Sequence, residues 1–577
     1  MTEQHSACAA VSNESTEPSP SGHISRRVVL ETLAGLGIGS VVFCRAVAAQ
    51  VQTGSAITAE MIQQAEWIAG LELKPEDRDA VARGLTRAIA GLEQLRAVKL
   101  DNSIAPALLF NPAPSQPPQV TSSQGHVEFP DSPAPQRPTS DDDLAFLPVA
   151  KLAALLRTRQ ISSVDLTKLY LSRLRKFDPV LKCVITFTDD LAMRQAERAD
   201  RELAAGHYRG PLHGIPWGAK DLIAWPGYPT TWGATPLKDQ VIDTKATVAA
   251  RLEEAGAVMI AKLSMGALAE GDRWFGQMTR NPWNVREGSS GSSAGSACAT
   301  AAGLVGFAIG TETLGSIISP CGRCGVTGLR PTYGRVSRYG CMTLAWSFDK
   351  IGPIARTVED CAIVFSAIHG FDGLDASAVD RPFDWPLRRD LRSLKVGYVE
   401  DNTPVADRAE LKVLTELGVK LVPIKLPTKY PVNALTMILD TEAAAVFDEF
   451  TRQGITDGLN AWPPKFRQAQ FTPAVEYLRA NRIRTLVMRE MEELMSQVDL
   501  YVGGRDLTIA NLTGYPTVVL PNGMRARGGI ETPTSLTFTG RLFGETELMS
   551  LAQAYQHHTD FHLARPPLEK ALAEGAG

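Results

Sequence analysis

Three short stretches of the chain hold residues whose types can act on one another. GIPWGAKD ends in Lys220-Asp221, GSSGSSAGS occupies positions 288–296, and GTETLGS ends in Ser316. A serine hydroxyl is a weak nucleophile at neutral pH until an adjacent base takes its proton. A lysine serves as that base only when uncharged, which requires desolvation or a neighbouring cation. Ile215, Trp217 and Leu222 flank Lys220 and offer an apolar setting. A hydroxyl between such a pair can relay a proton, because it donates to one group while accepting from another. Glycines on both sides of a polar turn let backbone N–H groups converge where an oxyanion develops. The chemistry this set suits is acyl transfer at a serine activated by lysine rather than histidine.

Other readings of the serine run fare worse. Composition alone describes a flexible linker. A phosphate-binding P-loop needs G-x-x-x-x-G-K-[ST], and no Lys follows these glycines. Gly291-Ser292-Ser293-Ala294-Gly295 does satisfy the G-x-S-x-G elbow of α/β-hydrolases, with Ser293 as nucleophile. That elbow needs an acid and then a histidine later in the chain. The candidates are His369, His557, His558 and His562, the last three in a polar helical tail. Cys321-Gly-Arg-Cys324 lacks the second pair and the histidines of a zinc site, so no metal is expected. A disulfide or two buried thiols both fit that pair.

These residues need a scaffold. The 577 residues are 44% hydrophobic and 21% charged, ordinary for a chain that buries a large core. TVAARLEEAG followed by AVMIAKL reads as helix then strand, and ACATAAGLV followed by GFAIG repeats that order. SSVDLTKLYLSRLRKF has helical periodicity and opens on a Ser162-x-x-Asp165 cap. Near the end, NLTGYPTVVLPNG and SLTFTG read as strands, followed by a helix. Such alternation argues an α/β fold around a buried sheet. Upstream, residues 57–98 read as two helices separated at Lys74-Pro75-Glu76-Asp77. Nine of the chain's 37 prolines then fall in an extended connector over 105–140.

Lys220 in GIPWGAKD, the 288–296 run and Ser316 in GTETLGS, taken in that order, resemble the amidase signature family. GVTGLRPTYGRVSRYG, SFDKIGPIARTVEDCAIV and NLTGYPTVVLPNG continue the likeness across about residues 141–563. The resemblance implies an α/β/α sandwich on a large mixed central sheet, here with an N-terminal helical extension. It implies a Ser–cis-Ser–Lys triad without metal or cofactor: Ser316 as nucleophile, Ser292 after a cis peptide, and Lys220 as base. The backbone of Thr313, Leu314, Gly315 and Ser316 matches the oxyanion hole. Three departures stand out: Glu312 replaces the usual Asp, Leu314 replaces a Gly, and Ile318 replaces an Arg. Met265, Trp274, Phe275 and Trp346 are candidate pocket residues, with plain core packing as the competing role. Asp221 is read as a structural partner and Arg330 as a loop anchor. Cys341 has no basic neighbour that would make it a nucleophile.

Domain boundaries follow: an export signal over 1–49, a helical segment over 50–104, the connector over 105–140, a catalytic domain over 141–565 and a tail over 566–577. Arg26-Arg27, an apolar segment from Val28 to Phe43 and Ala46-Val47-Ala48-Ala49 describe a twin-arginine signal. The expected location is periplasmic or secreted. Glu31 and three glycines make that segment a poor membrane anchor. The net charge of −4 gives no footprint for nucleic acid. The expected partner is a small amide or carbamate, and the oligomeric state, a homodimer included, is left open. The expected activity is amide hydrolysis, with carbamates, aryl amides and esters as alternatives for the same triad. The amidase-like subunit of a tRNA-dependent amidotransferase is the further rival.

Overall fold

The structure, a computed structural model, describes residues 57–100, 107–108, 125–129, 135–400, 403–504 and 507–575. The expected export signal and most of the proline-rich connector lie outside the described residues.

The chain forms two compact units, one ending at Arg83 and one starting at Gly84. In the first, helix Ala59–Ala65 is capped by Thr58, whose Oγ1 accepts from the Met61 N–H at 3.3 Å. A short 3₁₀ turn, Glu66–Ala69, ends on Gly70 at φ 66°. Helix Pro75–Ala97 then begins on a proline, where a missing N–H costs no helical hydrogen bond. The Arg78 guanidinium grips Glu66 through two bonds of 2.9 and 2.7 Å. The two helices and the break between them match the sequence reading.

The second unit is built on one sheet. Its strands are β1 (Val184–Phe187), β2 (Pro216–Lys220), β3 (Val258–Leu263), β8 (Phe307–Glu312), β9 (Thr327–Arg330), β10 (Lys350–Ala355), β11 (Lys395–Val399), β12 (Lys420–Ile424), β13 (Leu500–Val502), β14 (Thr517–Arg527) and β15 (Ile530–Gly540). Two small ribbons, β4–β5 (Arg273–Trp274, Gln277–Met278) and β6–β7 (Arg280–Asn281, Asn284–Gly288), stand apart from it. The sheet order is β1-β3-β2-β8-β10-β9-β14-β15-β13-β11-β12. Pairing is parallel for β3/β2, β2/β8, β13/β11 and β11/β12, and antiparallel elsewhere, so the sheet is mixed.

Helices cover this sheet because every residue of β2, β3 and β10 is buried, and each of these strands is apolar apart from one lysine, Lys220, Lys262 or Lys350. Helix Ser163–Leu181 starts as the sequence predicts, with Ser162 Oγ accepting from the Asp165 N–H at 2.9 Å. Trp217 of β2 stacks on Phe307 of β8 at 6.0 Å, fixing the spacing of the two strands that lead into the site. Cys321 and Cys324 are both buried free thiols, which settles the disulfide alternative against a bridge.

Candidate active site

Three strand ends meet here. Lys220 is the last residue of β2, and Glu312 is the last of β8. Lys350, the first residue of antiparallel β10, sits opposite Glu312 in register. Beyond β8 the chain turns through Thr313, Leu314 and Gly315 to Ser316 and enters helix Ile318–Cys324. Gly315 lies at φ +86°, a conformation that L side chains rarely adopt. The serine run approaches from the other side, ending at helix Ala294–Ala301.

Close backbone approach explains the glycines of that run. The Gly291–Ser292 peptide is cis, as the family resemblance implies. A Cβ on Gly291 would lie 1.8 Å from the Gly271 carbonyl oxygen. One on Gly295 would lie 2.4 Å from the Cys183 carbonyl oxygen. Gly295 N–H donates to the Ser264 carbonyl at 2.8 Å, tying the start of the helix to the end of β3. The run is a packed turn.

Lys220 is fully buried. Its Nζ lies 2.9 Å from Ser292 Oγ, 3.1 Å from Ser293 Oγ, 2.8 Å from Thr311 Oγ1 and 3.3 Å from the Thr311 carbonyl. Burial pushes its pKa down to about 7, and the carboxylates of Asp349 and Glu312 oppose that fall. A substantial share of the amine is therefore uncharged near neutrality, as a base must be.

Ser293 clips the two loops together. Its Oγ donates to the Thr311 carbonyl and accepts from the Thr311 N–H, both at 3.1 Å, and its N–H donates to the Ser316 carbonyl at 3.1 Å. The hydroxyls of Ser292 and Ser316 are not bonded to each other; the loops that carry them are joined by the bond from the Ser293 N–H to the Ser316 carbonyl. Catalytic hydrogen bonds are commonly open without substrate and tighten once it binds. Among the described residues, no histidine bonds to a serine of this loop. His369, packed against Phe365 and Phe383, is driven down to about 3 by burial and by the Arg335 charge. The elbow reading thus lacks its base.

The Ser316 turn rests on a buried network. Glu312 accepts from the Ile317 and Ile318 N–H groups at 2.9 Å each, from Arg330 at 2.8 Å and from Asn511 Nδ2 at 2.8 Å. Burial alone would raise its pKa; the Arg330 guanidinium, the Ile318 N–H and Lys350 together outweigh that and bring it to about 2. Arg330 also donates to the Tyr515 carbonyl at 2.7 Å and to Thr517 Oγ1 at 2.5 Å, so it does anchor the loop. Asp221 likewise is structural: it pairs with Lys262 at 3.0 Å and accepts from the Thr231 N–H and hydroxyl at 2.9 and 2.5 Å. Cys341 is raised to about 12 by burial, which keeps it a thiol.

The aromatic candidates divide. Met265 is fully buried. Trp274 is buried too, with its Nε1 donating to Thr279 Oγ1 at 3.1 Å and its ring edge-on to Phe275. None of the three has a hydrogen bond or ring contact to the serines. Trp346 is 50% exposed on a backbone held by Tyr333 and Arg338, both donating to its carbonyl. Beside the Ser316 turn lies a cavity of about 430 Å³, lined by Ile318, Leu507, Ala510 and Leu536 among others. Leu507 is the side chain that a Cβ on Gly315 would touch at 3.5 Å. A larger cavity of about 740 Å³, around Ser162 and Asp165, includes none of the residues named for the site. Sequence reasoning passed over Thr311, Asp349 and Asn511, although each falls inside a quoted motif.

A mixed eleven-stranded sheet carrying a buried lysine, a serine after a cis peptide and a second serine on a glycine turn is the architecture of an amidase signature enzyme. The family model described as Amidase matches residues 165–504, and the chain belongs to that family. The A subunit of glutamyl-tRNA(Gln) amidotransferase from Roseiflexus sp. (strain RS-1) is 36% identical over 480 residues, covering 72% of this chain and 96% of that protein. Its counterpart from Marinomonas sp. (strain MWYL1) is 35% identical, covering 73% and 99%. Among solved structures, the native peptide amidase from Stenotrophomonas maltophilia is similar at 30% identity and TM-score 0.63, over 73% of this chain and 98% of that one. A bacterial aryl acylamidase of the amidase signature family shares the fold at TM-score 0.64 and 23% identity, over 75% and 99%.

Proposed function

We propose that this amidase signature enzyme hydrolyses the C–N bond of small carboxylic amides through an acyl-Ser316 intermediate. Ser316 Oγ forms a bond to the carbonyl carbon as its proton passes to Ser292, which hands its own to Lys220. Backbone N–H groups of the Thr313–Ser316 turn hold the oxyanion. The C–N bond then breaks, and the leaving nitrogen takes the proton back from Lys220 through Ser292. Water gives a proton to the same relay and attacks the acyl carbon; the bond from that carbon to Oγ breaks, and Ser316 Oγ takes the proton back through Ser292 as the acid leaves. The observation that carries this reading is the buried Lys220 amine, 2.9 Å from Ser292 Oγ and brought down to about 7 by burial.

Carbamates and esters fit the same chemistry, since either presents a carbonyl to Ser316. Matched aryl amide, carbamate and ester substrates with one acyl group separate them: the proposal expects kcat/KM for the amide to equal or exceed that for the carbamate. Turnover of the ester alone contradicts it. The names of the relatives favour a second reading, as the part of an amidotransferase that acts on glutamine. The twin-arginine pattern at Arg26-Arg27 speaks for a periplasmic or secreted enzyme instead, and no helix among the described residues is long and apolar enough to cross a membrane. Fractionation of cells carrying the wild type and an Arg26→Lys/Arg27→Lys double variant decides the address. Retention of both in the cytoplasm, with partner proteins co-purifying, supports the amidotransferase reading.

A further inference from the structure

Antiparallel pairing of β8 and β10 places the residue after Glu312 beside the residue before Lys350, and these are Thr313 and Asp349. Thr313 Oγ1 donates to Asp349 Oδ1 at 2.6 Å. The other carboxylate oxygen accepts from the Leu344 and Ala345 N–H groups at 2.7 and 3.0 Å. One half-buried carboxylate thus joins the turn that presents Ser316 to the loop that carries Trp346. That loop is itself clamped, because Ser347 is held by both Glu442 and Arg484.

The proposed reaction turns Lys220 into a buried cation each time it accepts a proton, and a buried cation needs an opposite charge close by. Several titratable groups surround it. Glu312 is neutralised by Arg330 at 2.8 Å. Asp221 is neutralised by Lys262 at 3.0 Å. Cys341 stays a neutral thiol, and burial and the nearby Arg330 push the pKa of the Lys350 ammonium down. Arg338 also faces Asp349, but its guanidinium is committed to Asp375 at 2.9 Å. Asp349 forms no ion pair among the described residues; every hydrogen bond it accepts comes from a neutral donor.

Resting on the functional reading above, we propose that Asp349 is a positioning residue with two effects: it holds the Thr313 turn, and it supplies the counter-charge for Lys220 when Lys220 carries the proton. Asp349 lines the same small cavity as Thr311, whose hydroxyl lies 2.8 Å from Lys220 Nζ, and its carboxylate opposes the effect of burial on Lys220. It acts through Thr313 and Lys220 and has no need to touch substrate.

The test is the rate at which a fluorophosphonate labels Ser316 between pH 5 and 9, a readout that requires no knowledge of the natural substrate. Asp349→Asn removes the charge and keeps the shape. With less negative charge nearby, Lys220 releases its proton more readily. The acid limb of the labelling profile therefore moves to lower pH by about 1 unit or more, with a slower plateau. Thr313→Val removes the hydroxyl contact but leaves the charge, so its plateau falls while its limb stays in place. Should Asp349→Asn fail to fold, Asp349→Ser makes the same prediction. An unmoved limb in the charge-removing variant overturns the proposal, as does an equal movement in Thr313→Val. A wild type that does not label at all sinks the functional reading as well; a labelled wild type with an unmoved variant sinks this inference alone.

Discussion

Acidification through pH 7 is expected to shut the enzyme down, because that is where Lys220 gains a proton. An ordinary lysine titrates at 10.5, and burial brings Lys220 to about 7. The gap, 10.5 minus about 7, is about 3.5 pH units, or ~5 kcal/mol at ~1.36 kcal/mol per unit. At pH 7.5 a lysine of ordinary pKa is about 0.1% uncharged, whereas one titrating at 7 is about three-quarters uncharged. Burial therefore raises the supply of base by roughly 10³-fold. The assay is kcat/KM for a chromogenic anilide from pH 5 to 9.5. The expected curve climbs with unit slope below about pH 7 and levels above it. Lys220→Met, similar in volume but without the amine, loses most turnover, and Lys220→Arg does not restore it because guanidinium cannot give up its proton. A wild-type limb above pH 9, or a flat profile, refutes the reasoning.

Other outcomes follow from the same geometry. Ser292→Ala removes the relay and is expected to lower kcat by about 10²–10⁴-fold with an unchanged melting temperature; near-normal turnover would contradict the relay. Glu312 titrates at about 2 against an ordinary 4.5, so its stabilisation is complete above pH 4.5 and is lost as pH falls towards 2. The difference of about 2.5 units is worth ~3 kcal/mol. Glu312→Gln should cost about that much at pH 7 by denaturant unfolding and flatten the acid dependence. Asp221→Asn leaves Lys262 buried without its partner, which is expected to cost ~3–5 kcal/mol and be visible as a lowered urea midpoint. Gly291→Ala drives a Cβ to 1.8 Å from the Gly271 carbonyl, so destabilisation beyond about 4 kcal/mol, or loss of soluble protein, is expected.

Much of this organisation is legible from residue types. Ser162 as a cap, the break at Lys74-Pro75 and the helix-then-strand order around 247–263 and 294–312 are local signals, and the structure reproduces them. The strands at Lys395–Val399 and Lys420–Ile424 carry no such signal; they are short, and in parallel pairing their only support is non-local. Lys220, Ser292 and Ser316 are nameable because the motifs that hold them resemble those of the amidase signature family. Thr311, Asp349 and Asn511 are not, because an Asp, an Asn and a Thr inside a motif look like ordinary polar residues until register sets them against Lys220, Thr313 and Glu312. The exposure of Trp346, which separates it from the buried Met265 and Trp274, is carried by no local pattern.

The central claim is that Ser316 becomes a nucleophile because an uncharged Lys220 takes its proton through Ser292. Intact-mass and peptide mapping after fluorophosphonate treatment at pH 8 tests it most directly. The account predicts one adduct, on Ser316, absent in Ser316→Ala and slowed by at least about 10²-fold in Lys220→Met. An adduct on Ser293, or labelling of Lys220→Met at the wild-type rate, contradicts it.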